Sequence, residues 1–191
     1  MRKLSYYIAL SIDGFIAAPD GAYDFYPLSE EFVGFMAGEF PETLPTGARK
    51  ALGVDEAPNS RYDTVLMGRG TYEPALREGV TSPYAHLRQI VFSRSLGESP
   101  DPAVEVVAGD PVAYVRELKR EAGLGIYLCG GADLAGQLID EIDELVIKSY
   151  PVVAGAGIPL FRAGFGPRSF VPTGSRSFEN GTVVTTYTRK R

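Results

Sequence analysis

The chain has no tryptophan, one cysteine (Cys129) and one histidine (His86) in 191 residues. A lone cysteine excludes an internal disulfide and a multi-cysteine metal site, and a lone histidine leaves no set for a histidine-rich metal centre, so no metal is expected. No apolar run approaches the roughly 20 residues that a membrane-spanning helix needs. Net charge is −5, and the one basic cluster is the terminal Arg189-Lys190-Arg191. Neither a nucleic-acid face nor a membrane partner is therefore expected. Met1-Arg2-Lys3 and the apolar stretch to Ala17-Ala18 have the outline of a signal peptide, but Asp13-Gly14 interrupts them with an acid and a turn. A cytoplasmic location is the expectation.

What is present is an ordinary globular composition, 45% apolar and 23% charged, at a length that fits one domain over residues 1–191. Leu4–Leu10 is a dense apolar and aromatic run of the kind that forms a strand buried on both faces. Asp13-Gly14 and Asp20-Gly21 mark turns, and Ser29 stands as the cap of a helix that begins with Glu30 and Glu31 and ends by Gly38 and Pro41. Pro41–Arg61 loses periodicity and reads as a long connection, a candidate lid. Strand signals return at 64–67, 89–92, 104–107, 126–129 and 144–150, with a helix after the Asp110 cap and Pro111 that stops at Gly123. Residues 169–178 and 182–188 flank Glu179-Asn180-Gly181 as an antiparallel hairpin. The alternation predicts an α/β fold of three layers, αβα, around a mixed, mostly parallel sheet of about eight strands, closed by the C-terminal hairpin.

Three strand ends carry the chemistry. At Cys129-Gly130-Gly131-Ala132-Asp133-Leu134 a strand stops at two glycines and passes into a helix, leaving backbone N–H groups at a positive helix end with no Cβ to hold an anion off. Gly68-Arg69-Gly70-Thr71 repeats the arrangement and adds a guanidinium and a hydroxyl suited to phosphate oxygens. Ser93, Arg94 and Ser95 follow a third strand, at the edge where open α/β sheets bind ligands. A tight turn and an exposed arginine would explain each segment taken singly. Cys129 itself reads as a small core residue, His86 as a surface residue at a helix start, and Lys148-Ser149-Tyr150 either as core strand or as a substrate-side lining.

Residues 9–17 (ALSIDGFIA), 65–73 (VLMGRGTYE), 90–94 (IVFSR) and 126–131 (IYLCGG), together with 143–148 and 151–161, resemble the dihydrofolate reductase-like superfamily. The likeness spans nearly the whole chain and is closer to the reductase domain of riboflavin-pathway deaminase-reductases and its stand-alone bacterial relatives. It implies NADPH as cofactor, met by Gly68, Arg69, Gly70, Thr71, Ser93, Arg94 and the segment Cys129 to Leu134, a cis Gly130–Gly131 bond, and Ala9, Ile16 and Ala17 along the nicotinamide. It also implies a homodimer and a small polar heterocycle, a pyrimidine or a pterin, as hydride acceptor. Family position makes Glu31 the candidate proton donor, with Glu30 beside it and Asp13 as rival, although two acids in a first helical turn also suit the helix dipole and an Asp-Gly turn explains Asp13. A flavin- or quinone-directed reductase and a non-catalytic NADPH-binding module are the competing readings. The deaminase half of the bifunctional enzymes needs a His/Cys/Cys zinc set that this chain cannot assemble.

Overall fold

The apolar run Leu4–Leu10 forms strand β1 at the heart of the sheet in the computed structural model, which describes residues 1–190. Around it lie β3 (Tyr62–Gly68), β4 (Arg88–Phe92), β5 (Val104–Val107), β6 (Gly125–Gly130) and β7 (Glu144–Ser149), after the short β2 (Phe15–Ala17). The hairpin strands β9 (Phe170–Ser177) and β10 (Val183–Arg189) complete one eight-stranded sheet in the order β5-β4-β3-β6-β1-β7-β10-β9. Pairings from β5 across to β7 are parallel, and β10 runs antiparallel to both β7 and β9. The mixed, mostly parallel αβα architecture read from the sequence is the one observed.

Strand alternation divides the core in two. On one face Tyr7, Val65, Met67, Val91, Tyr127 and Val146 pack with Phe32 and Met36 of α1 (Glu30–Glu39) and Tyr72 of α3 (Arg69–Arg77). On the other, Leu4, Tyr6, Leu66, Ile90, Ile126 and Leu128 meet Val115 and Leu118 of α4 (Pro111–Leu118) and Leu134 and Ala135 of α5 (Ala132–Gln137). Both predicted caps form: Ser29 Oγ accepts from Phe32 N at 3.2 Å and Asp110 Oδ1 from Val112 N at 2.9 Å. The Asn-Gly hairpin closes with Gly181 N donating to Phe178 O at 2.9 Å.

Three expectations need correction. Helix α4 stops at Leu118, short of Gly123: the chain tightens into turns in which Arg120 N donates to Glu117 O at 2.9 Å and Glu121 N to Leu118 O at 3.3 Å, while Lys119 forms an ion pair with Asp143 at 2.6 Å. The 41–61 segment contains a 3₁₀ turn (Pro41–Thr43) and helix α2 (Thr46–Ala51), and it is closed on itself by buried polar groups. Glu42 is fully buried, its Oε1 accepting from the backbone N–H of Ser60 and, at 2.7 Å, of Arg61. Buried Arg49 donates to the carbonyls of Asp55 and Ala57 at 3.2 and 2.7 Å. Nothing in the apolar pattern signals these contacts, because the groups that order the segment are charged. His86, finally, sits in a turn and is half-buried, its Nε2 placed 2.9 Å from Glu42 O, and burial lowers its pKa.

Burial pushes the Glu42 carboxyl up, but the N–H donors of Arg61 and Ser60 outweigh it and leave the pKa below its ordinary 4.5. A lowered carboxylate pKa contributes stability that is complete above the unfolded value and is lost as pH falls through the folded one. Glu42→Gln should cost about 1–3 kcal/mol at neutral pH, and urea midpoints for the two proteins should converge as pH falls through the lowered carboxyl pKa. A constant gap down to acid pH would show that the charge is not what staples the segment.

Candidate functional site

Parallel pairing brings the ends of β4, β3, β6 and β1 to one edge of the sheet, since these four strands are consecutive neighbours running the same way. Gly68 ends β3 and Gly130 ends β6, and the two ends touch: a Cβ at Gly68 would lie 3.5 Å from Gly130 O and 3.6 Å from Gly131 N. Thr71 Oγ1 faces the same peptide, 3.7 and 3.5 Å from where Cβ atoms of Gly130 and Gly131 would stand. The Gly130–Gly131 bond is cis, and Gly130 has φ +129°, a backbone region that suits glycine. Helices α3 and α5 start here with Gly68 and Gly131 as caps that offer no side-chain acceptor. Their first N–H groups stay open to a ligand, whereas those of α1 and α4 are closed by Ser29 and Asp110.

The third strand end joins through Arg69. Its guanidinium donates to Glu73 Oε1 at 2.5 Å and to Ser95 Oγ at 2.6 Å, bridging the start of α3 and the loop after β4. Ser93 Oγ is spent within that loop, accepting from Leu96 N at 3.0 Å and, more weakly, from Ser95 N at 3.3 Å. Arg94 is exposed, and no hydrogen bond or ion pair holds it among the described residues. Asp133, an acid at an anion-favouring helix start, is neutralised by Arg162 at 2.9 Å. Arg162 gave no sign of itself in the sequence, because a loop 29 residues away brings it there. That loop packs so closely that a Cβ at Gly136 would lie 1.9 Å from Arg162 O. Ala132 and Leu134 are buried under it.

The proposed nicotinamide residues lie at the β1 side of the edge. Ala9 is near the end of β1, and Ile16 and buried Ala17 belong to β2, which pairs with β8 (Ile158–Pro159). Asp13 holds this flap in place. It accepts from Ser11 Oγ at 2.7 Å, Ala154 N at 2.9 Å and Gly155 N at 2.7 Å. The backbone donor of Ala154 and the Ser11 hydroxyl bring its pKa down to about 2, so it is an ionised clasp at neutral pH. Glu31 has turned to the hairpin, with Oε2 accepting from Glu179 N at 3.1 Å and Oε1 at 3.7 Å from Arg176. Glu30 is exposed on the first turn of α1. The structure thus brings the glycine, threonine and arginine candidates together and commits Asp13 and Glu31 to loops. A separate depression of 540 Å³ at the outer edge is walled by Arg88, Glu105 and Tyr114, which already bond one another. It gathers no glycine turn.

Cys129 lies within this edge beside Tyr84, whose hydroxyl is 3.5 Å from the sulfur, and burial raises its pKa, as suits a packed thiol. Among the described residues no helix is long and apolar enough to cross a membrane, and no cluster of ligating side chains could hold a metal.

If Asp13 is a clasp, a carboxyl-carbon NMR titration should find it ionising near 2. Asp13→Asn should speed hydrogen exchange at the amides of Ala154 and Gly155. A carboxyl that titrates in the ordinary range for aspartate, with unchanged exchange in the variant, would return Asp13 to the list of proton donors.

Comparison with known proteins adds the family. The model of the RibD C-terminal domain matches residues 2–184. The uncharacterized protein YwjB of Bacillus subtilis is 35% identical over 162 residues, covering 84% of this chain and 83% of the relative. The uncharacterized protein YyaP of the same organism is 24% identical over 201 residues, covering 97% and 94%. A putative riboflavin biosynthesis protein from Shewanella sp. PV-4 superposes with TM-score 0.73 and 27% identity over 99% of both chains. A diaminohydroxyphosphoribosylaminopyrimidine deaminase/5-amino-6-(5-phosphoribosylamino)uracil reductase from Thermotoga maritima shares the fold at TM-score 0.65 and 15% identity, this chain spanning 57% of its length. With the glycine-lined edge and the domain match extending from Arg2 to Val184, the chain belongs to the RibD C-terminal domain family.

Proposed function

We propose that this chain is an NADPH-dependent reductase that passes hydride to a small polar heterocycle, a pyrimidine of the type reduced by the Thermotoga enzyme or a pterin. The observation that carries this reading is the meeting of Gly68, Thr71 and Gly130-Gly131 at two uncapped helix starts, with Arg69 and Arg94 beside them. Open N–H groups, absent Cβ atoms and two guanidinium groups suit a pyrophosphate and a ribose phosphate, so the residues present fit the cofactor.

In this reading Gly68, Gly70, Thr71 and the amides from Gly130 to Leu134 cradle the pyrophosphate, and Ser93 shapes the loop that presents Arg94 to the 2′-phosphate. Ala9, Ile16 and Ala17 wall the nicotinamide, and the Asp13 clasp keeps the β2 flap over it. When bound, the cofactor supplies hydride; the chain orients the acceptor and excludes water. Glu31 serves the hairpin, so the proton needed for reduction of C=N or C=O comes from another group. The proposal includes a homodimer, for which the exposed outer strand β9 offers a free edge.

Fluorescence titration separates the roles. Arg94→Ala should weaken NADPH about tenfold and leave NADH within about twofold, because one charge-assisted contact to the extra phosphate is lost. Equal losses for both cofactors would refute the 2′-phosphate role. Binding of NADPH with no oxidation on adding 5-amino-6-(5-phosphoribosylamino)uracil, dihydrofolate, a flavin or a quinone would favour a non-catalytic module.

A further inference from the structure

Lys148 is a cation in an apolar place without an acid beside it. It stands near the end of β7, in register with Ala9 of β1, on the sheet face that carries Tyr7, Cys129 and Tyr150. Its Nζ lies 4.2 Å from the centroid of the Tyr7 ring, and Cys129 is its one electrostatic neighbour among the titratable groups. Lys119, the chain's other enclosed lysine, shows what a structural role looks like: Nζ is 2.6 Å from Asp143 and donates to Glu141 O at 2.8 Å. Lys3 has Glu144 at 2.6 Å. Lys148 has an aromatic face and a thiol. A ring face recovers only part of the hydration that an ammonium gives up. Part of the side chain nonetheless remains accessible, so it is not sealed in the core.

Position gives this cation a use. The ends of β6, β1 and β7 lie side by side, so the glycine pair that ends β6, then Ala9, then Lys148 in register with it, follow one another across the edge as a row. On the proposed reading the nicotinamide lies over Ala9, so the next position along the row, over Lys148 and under the start of α1, is where an acceptor would stack. Tyr150, two residues on along the same face, belongs to an aromatic group beside that position, its ring centroid 4.5 Å from that of Tyr26 and 5.7 Å from that of Phe32. A flat heterocycle fits such walls, and a carbonyl or enolate oxygen on it would supply the missing partner of the ammonium.

We infer that Lys148 is the acceptor-binding group of this site, receiving a ring oxygen of the heterocycle and giving its Nζ proton to the atom that gains the electron pair on reduction. Resting on the reductase reading, the assignment replaces the carboxylate donor of the sequence analysis with an amine. Hydride adds to the electrophilic carbon, the neighbouring nitrogen or oxygen takes the proton from Nζ, the nicotinamide becomes oxidised, and the neutral amine regains a proton from solvent. Burial lowers the ammonium pKa to about 8, which makes it a competent acid near neutrality.

Arylation with fluorodinitrobenzene, located by peptide mass, tests placement without turnover. Lys148 should react severalfold faster than the other four lysines at pH 8, and NADP⁺ with 5-amino-6-(5-phosphoribosylamino)uracil should protect it. Lys148→Met should keep NADPH affinity within about twofold, raise or preserve the Tm of the ligand-free protein, and lower kcat/KM for the pyrimidine by about 100-fold or more, with partial recovery in Lys148→Arg. If Lys148 reacts no faster than the others, or is protected by neither NADP⁺ nor the pair, or if Lys148→Met turns over normally, the assignment fails. If the wild type binds NADPH, ignores the pyrimidine, and NADP⁺ alone still protects Lys148, the pyrimidine is the wrong acceptor while the lysine stands.

Discussion

Contact between the Gly68 and Gly130 strand ends is the constraint on which the site depends. Adjacent parallel strands must finish at one edge, and the chain leaves each by a helix because parallel neighbours need a crossover. Where both strands finish in glycine, two helix starts lie side by side, and a Cβ at Gly68 would stand 3.5 Å from Gly130 O and 3.6 Å from Leu134 Cβ. An alanine at position 68 would reach ordinary contact with the Gly130–Gly131 peptide, so stability alone tolerates a methyl group there. On the proposed reading, the room left by the missing side chains faces the pyrophosphate.

The remaining charges near the sheet show the opposite economy. Arg2 pairs with Asp63 and donates to Thr64 Oγ1 at 2.7 Å, Lys119 pairs with Asp143, and Glu42 collects backbone donors. Each of these enclosed charges has partners within the protein, as burial demands. Arg94 and Lys148 depart from that rule, one exposed and one enclosed, at opposite ends of the same row of strand tips. On the proposed reading, these two cations bracket a cofactor and an acceptor laid end to end along the glycine-lined edge.

Much of this was legible in the residues. Alternating apolar runs and glycine punctuation marked β1, β3, β4, β5 and β6 to within a residue or two, because strands buried on both faces leave a dense apolar trace. The 41–61 segment was misread, since its order comes from Glu42 and Arg49 bonding to backbone groups, which no periodicity encodes. The glycine turns and arginines at the strand ends could be named from local pattern. The duties of Asp13 and Glu31 could not, because their partners lie 141 to 148 residues away. Lys148 was ambiguous for a related reason: a lysine in a strand shows its chemistry only when its neighbours are seen to lack an acid.

Glu31 illustrates how a shared fold can change its chemistry without changing its frame. Its helix starts where a proton donor would be useful, yet the hairpin at residues 178–182 reaches over and engages it through Glu179 N and Arg176. Arg176 in turn lies 5.0 and 5.1 Å from the Phe35 and Phe178 ring centroids, so the hairpin, the helix and the aromatic layer are fastened as one unit. A carboxylate fastened in this way ties the start of α1 to the hairpin. On the proposed reading the proton comes instead from the sheet beneath, where Lys148 stands in register with Ala9.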